Sequence, residues 1–323
     1  MTTFPRPRIV VSQCLGFEAV RYNGAIIRDD FVARLAAWVD YIEVCPEVAI
    51  GLGVPRPPIH VEQRAGALRL LQPSTGRDVT ETMQTFAAAF LGELGAVDGF
   101  ILKNRSPSCG LSDVKVHGAA GSGPIGKGAG MFGGAVLAHF PAHATEDEGR
   151  LRNHAIREYF LTKLFALARL REVRLAGTLS ALMDFHASYK YVLMTHAQAT
   201  MRELGQLVAV TTDRPAVAVI DEYRDRFGRA LRGPARVGAH VNTLMHALGY
   251  FRDGLGAQEK AYFIDTLEQF RRGAAPLSAP VAILRSWIIR FDEPYLARQS
   301  YFEPYPPQLA SLADSGGRMH PFA

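Results

Sequence analysis

The hydrophobic period changes once along the chain, and that change limits the fold more than any other feature. Up to about residue 140, apolar runs of four to six residues end in turns and alternate with segments of helical period; beyond a linker at 141–148 (PAHATEDE) the period is 3.6 almost to the end. The runs 7–12 (PRIVVS), 41–44 (YIEV), 99–102 (GFIL) and 135–140 (AVLAHF) are predicted as strands. Segments 31–39, 65–71 and 80–94 are predicted as helices, the last with Thr80 as N-cap and Met83, Phe86 and Phe90 on one face. Strands alternating with helices predict a Rossmann-like α/β domain with a parallel sheet over residues 1–145. Segments 151–170, 178–203, 213–231, 235–251, 257–272 and 280–290 predict an all-α helical bundle domain of five or six helices over 150–323. A length of 323 residues, 48% hydrophobic, suffices for two cores.

No run approaches the roughly 18 apolar residues that cross a bilayer, and the start, MTTFPRPRIVVSQC, has no long apolar segment followed by a cleavage site. The sequence therefore predicts a cytoplasmic protein without membrane contact. Residues 1–149 carry 13 Lys and Arg against 15 Asp and Glu, and the remainder 23 against 16, so all the excess positive charge lies in the second half. Such a basic domain is compatible with RNA contact, but the cations are mostly Arg spread along helical patterns, as on solvated faces, with no compact basic run.

Three cysteines, Cys14, Cys45 and Cys109, all fall in the first half, each in a turn after a predicted strand. In parallel sheets ligands gather at the carboxyl ends of strands. An odd number of cysteines argues against a disulfide framework, and spacings of 31 and 64 residues match no compact zinc or ferredoxin motif. Three readings stay open: unrelated small apolar side chains, a three-thiolate zinc with one open position, or a [4Fe–4S] cluster with one iron lacking a protein ligand. Either metal group would present a Lewis-acid position, and iron among sulfides favours an incoming sulfur.

The segments SQCLG with RYNG, EVCPEVAIGLGVPRPPIHVE, GRDVT and LKNRSPSCG, over residues 7–140, resemble the thiouracil desulfidase family. That resemblance implies a [4Fe–4S] cluster held by Cys14, Cys45 and Cys109, and removal of sulfur from a thiolated pyrimidine such as thiouracil. Val20 stands where many relatives carry a further cysteine, Asn23 where Asp is usual, and the stretch KVHG at 115–118 where relatives show Tyr-Asp-Gly. The second half, with HASYKYVLMTH, HVNTLMHALGYF and QSYFEPYPPQL, resembles a helical domain of unknown function fused behind the first.

Replacing C=S by C=O with water requires a group that holds sulfur, a proton acceptor and donors that orient the ring. Glu47, two residues after Cys45, is the expected general base; a turn-capping carboxylate is its rival role. Ser106 and Ser108 flank Pro107 before Cys109 and are expected to hydrogen-bond substrate or a cluster sulfur, or to stabilise the turn; Ser106 is the catalytic candidate. The stretch GSGPIGKG at 121–128 nearly spells a phosphate loop but ends in Gly128 where a hydroxyl is required, so it is expected to be a flexible lid from which Lys127 approaches an anionic substrate. His186, His196, His240 and His246 lack the i, i+4 spacing of paired ligands and read as packing residues. Two further functions remain open: desulfidation of thiolated tRNA with the basic domain as platform, and a non-enzymatic iron–sulfur or zinc ligand sensor.

Overall fold

A computed structural model of the chain describes residues 3–118, 123–209 and 214–310, in two compact units; one runs up to Ala168 and takes the chain back at Gln308, the other is Arg169–Pro307. The architecture is α/β followed by all-α, as the change of period predicts. In chain order the first unit contains β1 (Arg8–Ser12), α1 (Asp30–Leu35), β2 (Asp40–Val44), α2 (Pro46–Ala49), β3 (His60–Arg64), β4 (Ala67–Gln72) and β5 (Arg77–Asp78). It continues through α3 (Thr80–Glu93), β6 (Gly99–Leu102), β7 (Val114–His117), β8 (Pro124–Gly128), α4 (Met131–His139) and β9 (Ala144–Asp147), and the long α5 (His154–Ala176) then carries the chain into the second unit.

Four of these strands form a parallel sheet in the order β2-β1-β6-β9. The chain leaves β1 to one side for β2 and returns on the other side for β6, which opens a crevice at the carboxyl ends of the three strands. Ile9, Val10, Val11, Phe100, Ile101 and Leu102 are all fully buried, which is why β1 and β6 read as unbroken apolar runs rather than alternating ones. Met83, Ala87 and Leu91 of α3 and Phe132 and Val136 of α4 share one core with Val10, Phe100 and Leu102. At Gly99 of β6 an added Cβ would lie 2.5 Å from Ala144 O and 2.9 Å from Leu164 Cδ1, so β9 and α5 approach this strand closely.

The fourth strand is not 135–140. Residues 135–139 belong to α4, with Phe140 as its C-cap, and β9 lies in the stretch predicted as linker. An apolar run of six residues fits a buried helix as well as a buried strand, and α4 is apolar because it packs on α3 and the sheet. In β9 the buried Glu146 is paired with Arg150 at 2.7 Å, which lets a charged sequence occupy a sheet position.

A second sheet was not expected from the sequence: β5-β4-β3-β7-β8, mixed in direction. The predicted helix 65–71 is its β3–β4 hairpin, turned by Ala65 and Gly66, both at positive φ (48° and 81°). The expected lid is likewise strand: β8 pairs antiparallel with β7, while Gly121 and Ser122 lie outside the described residues. The helix predicted over 31–39 ends at Leu35, with Asp29 Oδ1 accepting from Val32 N as its cap. Thr80 does not cap α3 but is its first residue; Val79 is the N-cap, and the Thr80 hydroxyl accepts from Leu70 N instead.

The second unit adds α6 (Leu179–Ser188), α7 (Lys190–His196), α8 (Gln198–Ala209), α9 (Ala216–Ala230), α10 (Val237–Leu248), α11 (Ala257–Arg271), α12 (Ser278–Arg290) and α13 (Pro294–Ala297). The single predicted helix 178–203 is three helices, α6 to α8, because Tyr189 (φ −99°, ψ 8°) and Ala197 (φ −158°, ψ 79°) leave helical geometry. Of the predicted 213–231 helix, Asp213 lies outside the described residues. Leu244, Phe263, Leu284 and Trp287 form one core; elsewhere Phe185 stacks on Tyr189 and Tyr223 on Phe227, and Phe185 meets the second pair edge to face. His186 bonds the Tyr223 hydroxyl (3.0 Å) and His240 that of Tyr301 (2.9 Å); burial lowers both pKa values, that of His240 to about 4. No helix among the described residues is long and apolar enough to cross a membrane.

Candidate functional site

The pairing of β1 with β2 sets Ser12 beside Val44, and Val11 stands beside Ile101 of β6. Three strands thus end level with one another, and the turns leaving them carry Cys14, Cys45 and Cys109. All three line one cavity of about 420 Å³ at the carboxyl edge of the parallel sheet, with Ser12, Arg21, Glu47, Arg56, Lys103 and Ser106 in the same wall. Cys45 is the N-cap of the short α2 but makes no side-chain cap hydrogen bond; its thiol donates to Val20 O at 3.9 Å, and the nearby N–H groups of Val48 and Glu47 favour its thiolate. Cys14 lies in a turn opened by Leu15 N donating to Ser12 O, and Ile27 N donates to its carbonyl.

Cys109 is held most rigidly. Ser106 Oγ accepts from Cys109 N at 3.1 Å and from Ser108 N at 3.3 Å, closing the turn. The first turn of α4 then docks backbone to backbone on it: Met131 N donates to Pro107 O and Gly133 N to Ser108 O, while Gly130 N donates to Gly110 O. A Cβ at Gly130 would lie 2.5 Å from Ser108 O, and one at Gly133 2.4 Å from Gly110 O. The sequence GMFGG is therefore the start of a helix that needs glycine to seat the third cysteine. Ser12, buried at the end of β1, hydrogen-bonds the Cys109 sulfur and accepts from Lys103 N at 2.9 Å.

Glu47 has both carboxylate oxygens engaged. Arg56 Nε donates to Oε2 at 2.8 Å and Ser108 Oγ to Oε1 at 2.9 Å, while Arg56 Nη1 donates to Gly53 O. The Arg56 and Glu47 side chains are only 3% and 12% exposed, so this is a buried ion pair at the cavity wall. Ser108 is fully buried behind the carboxylate and is absent from the cavity lining, whereas Ser106 lines it. Lys127 is not brought to the site: it is exposed on β8, opposite Lys115 of β7. Glu43 is an exposed residue of β2, as a sheet-face residue should be.

The three thiols sense one another. Burial pushes Cys14 up to about 11, with Cys45 adding to the shift and Lys103 opposing it. Burial raises Cys45 as well, against the pull of the Val48 N–H. Cys109 is raised in the same way by burial, against its bond from Ser12, and the charges of Cys14, Glu47 and Cys45 add to the shift. The set is a soft, protonated donor triad that an electrophilic metal group would convert to thiolates with release of protons. Among the described residues no three His, Cys, Asp or Glu side chains close on a metal ion.

Residues 9–148 match the sequence model of the 2-thiouracil desulfurase family. YbbK of Bacillus subtilis (strain 168), an uncharacterized protein, is 34% identical over 110 residues, 32% of this chain and 72% of its own length. The chain belongs to the 2-thiouracil desulfurase family. Residues 190–306 match a second model, the protein of unknown function DUF1722. The uncharacterized YbgA of Escherichia coli (strain K12) is 34% identical over 158 residues, 48% of this chain and 93% of YbgA. A solved structure, that of the [4Fe–4S]-dependent thiouracil desulfidase TudS, is 29% identical and covers 45% of this chain and 93% of that one, with a TM-score of 0.36.

In this desulfurase-family domain the sequence reading missed Ser12, Arg56 and Lys103. Lys103 Nζ bonds Glu148 and Asn104 and lines the cavity. Its signal was present in the motif LKNRSPSCG, as that of Arg56 was in GLGVPRPP, but neither motif says which way a long side chain turns. Ser12 carried no local signal, since its partners lie 91 and 97 residues away in sequence.

Proposed function

We propose that Cys14, Cys45 and Cys109 hold a [4Fe–4S] cluster through three of its irons, and that the enzyme removes sulfur from thiouracil or a related thiolated pyrimidine. The balanced reaction adds water to C=S and yields C=O and hydrogen sulfide. What carries the reading is three thiols, Cys109 buried and Cys14 and Cys45 half-buried, that come from adjacent strand ends and share one cavity with a positioned carboxylate. The donor set suits the cluster: all-sulfur, set around a cavity, and not closed on a single ion, whereas thiolates on one zinc would stand about 3.8 Å apart. When bound, the cluster supplies one iron without a protein thiolate, a Lewis-acid position with affinity for sulfur.

The remaining work falls to the chain's own groups. Glu47 takes the proton of the attacking water at a carboxylate oxygen and returns it to the departing sulfur. Arg56 and Ser108 fix the plane of that carboxylate, so Ser108 acts through Glu47. Ser106 closes the Cys109 turn with its oxygen and has its hydroxyl proton left for the substrate ring. Lys103 and Arg21 offset negative charge beside Cys14.

Anaerobic reconstitution tests the reading. Full-length protein is expected to bind about four irons and four sulfides, turn brown and release hydrosulfide from thiouracil; colourless protein carrying stoichiometric zinc overturns the cofactor, and a loaded cluster without hydrosulfide release overturns the enzyme in favour of a sensor. Cys14→Ala, Cys45→Ala and Cys109→Ala should each lose cluster and activity, while Glu47→Gln keeps the cluster and loses turnover.

A further inference from the structure

The helical unit contains a cavity of its own, about 740 Å³, where the end of α9, the start of α10 and the α7–α8 junction meet. Its wall is strongly cationic. Arg226, Arg229, Arg232 and Arg236 line it together with His196, against one carboxylate, Glu203. Two of the arginines are already paired along α9, Arg226 with Glu222 at 2.6 Å and Arg229 with Asp225 at 2.7 Å, and neither of those acids is in the lining. Among the described residues Arg232 has no carboxylate partner; its Nε donates to Arg229 O at 3.2 Å and so covers an end carbonyl of α9. Arg236 makes no side-chain hydrogen bond or ion pair among the described residues.

Helix ends of both signs meet at this wall. α10 starts at the cavity with Arg236 as an N-cap that makes no side-chain bond, and its first turn has no acidic residue. α8 starts there too, its first turn free of acids, with Ala197 and Thr200 in the lining. The ends of α7 and α9 lie at the same wall and oppose the dipoles of these two helix starts, so the positive field comes from the guanidinium groups. Arg226 and Arg229 are offset by Glu222 and Asp225, but Arg232 and Arg236 are left beside them in the same concave wall, where a bound anion would offset their charge. Guanidinium forks match phosphate oxygens two at a time, and the volume lies in the range of small-molecule sites.

We propose that this cavity binds a compact ligand bearing at least two phosphate groups, inorganic or as the phosphate chain of a nucleotide. A nucleic-acid strand fits less well. Single-stranded recognition stacks bases on aromatic rings, and the wall holds no Phe, Tyr or Trp.

Titration calorimetry on the full-length protein tests this with pyrophosphate, orthophosphate, ADP and a 20-nucleotide RNA as probes. Pyrophosphate or ADP should bind at least about tenfold more tightly than orthophosphate; ADP above pyrophosphate identifies a nucleotide, the reverse an inorganic ligand. Arg232→Gln with Arg236→Gln, both at exposed positions, should weaken binding by about tenfold or more for each guanidinium lost. Arg271→Gln with Arg272→Gln removes the same charge from the exposed end of α11 and should change nothing. No binding by pyrophosphate or ADP below about 1 mM, equal loss in both double variants, or RNA binding that is tighter and lost only in the first double variant would each overturn the proposal.

Discussion

Replacing Arg56 by Met should destabilise the first unit by about 3 kcal/mol. Arg56 is buried and the Glu47 side chain is only 12% exposed, so removing the guanidinium leaves a largely desolvated carboxylate unpaired. Losing one partner of such a pair typically costs about 3–5 kcal/mol, and the lower end applies because the bond from Ser108 survives. With a slope of about 2 kcal/mol per molar urea, the midpoint should fall by about 1.5 M. The chain has two tryptophans, Trp38 in the first unit and Trp287 in the second, so a Trp287→Phe background makes fluorescence report on the first unit alone. Glu47→Gln should cost a comparable amount by stranding the guanidinium, and the double variant should recover much of both losses. The cycle should therefore give a coupling energy above about 2 kcal/mol, against about 0–1 kcal/mol for exposed pairs. Additive single losses of under about 0.5 kcal/mol each would refute a buried, mutually dependent pair.

Gly133→Ala should cost about 1–3 kcal/mol and lower the iron bound on reconstitution, because the new Cβ meets the Cys109 and Gly110 carbonyls at 2.6 and 2.4 Å; wild-type iron content with an unchanged midpoint would contradict this. Ser12→Ala strands the Lys103 N–H and removes the bond to Cys109, a loss of about 1–3 kcal/mol readable in the same urea assay. His240 binds its proton more weakly folded than unfolded, so its contribution is intact above pH 6.5 and is lost as pH falls toward 4, by at most about 3 kcal/mol. His240→Gln should flatten that part of the stability profile of the second unit, followed through Trp287.

Strands β1 and β6 were legible because burial on both faces makes them continuous apolar runs, the edge strand β2 through its β-rich run YIEV despite the exposed Glu43, and the turn after each is marked by its own cysteine. The helical half was legible through period alone, though period cannot show where Tyr189 and Ala197 interrupt it. What escaped were elements whose residues answer to distant partners. The run AVLAHF is apolar for the sake of α3, and ATED is a strand because Arg150 and the sheet satisfy its charges. Of the site, the thiols and Glu47 stand in motifs, but the groups that hold them, Ser12 and Arg56, reveal their task only in three dimensions.

The register of the parallel sheet has a consequence of its own. The cysteines are 31 and 64 residues apart and share a cavity only because Ser12 pairs with Val44 and Val11 with Ile101. A slip of one residue between β1 and β2 would displace Cys45 by about 3.3 Å and turn every side chain of the strand to the opposite face. The thiol triad is thus a gauge of strand alignment, and the colour of the reconstituted protein would measure how accurately three strands have zipped together.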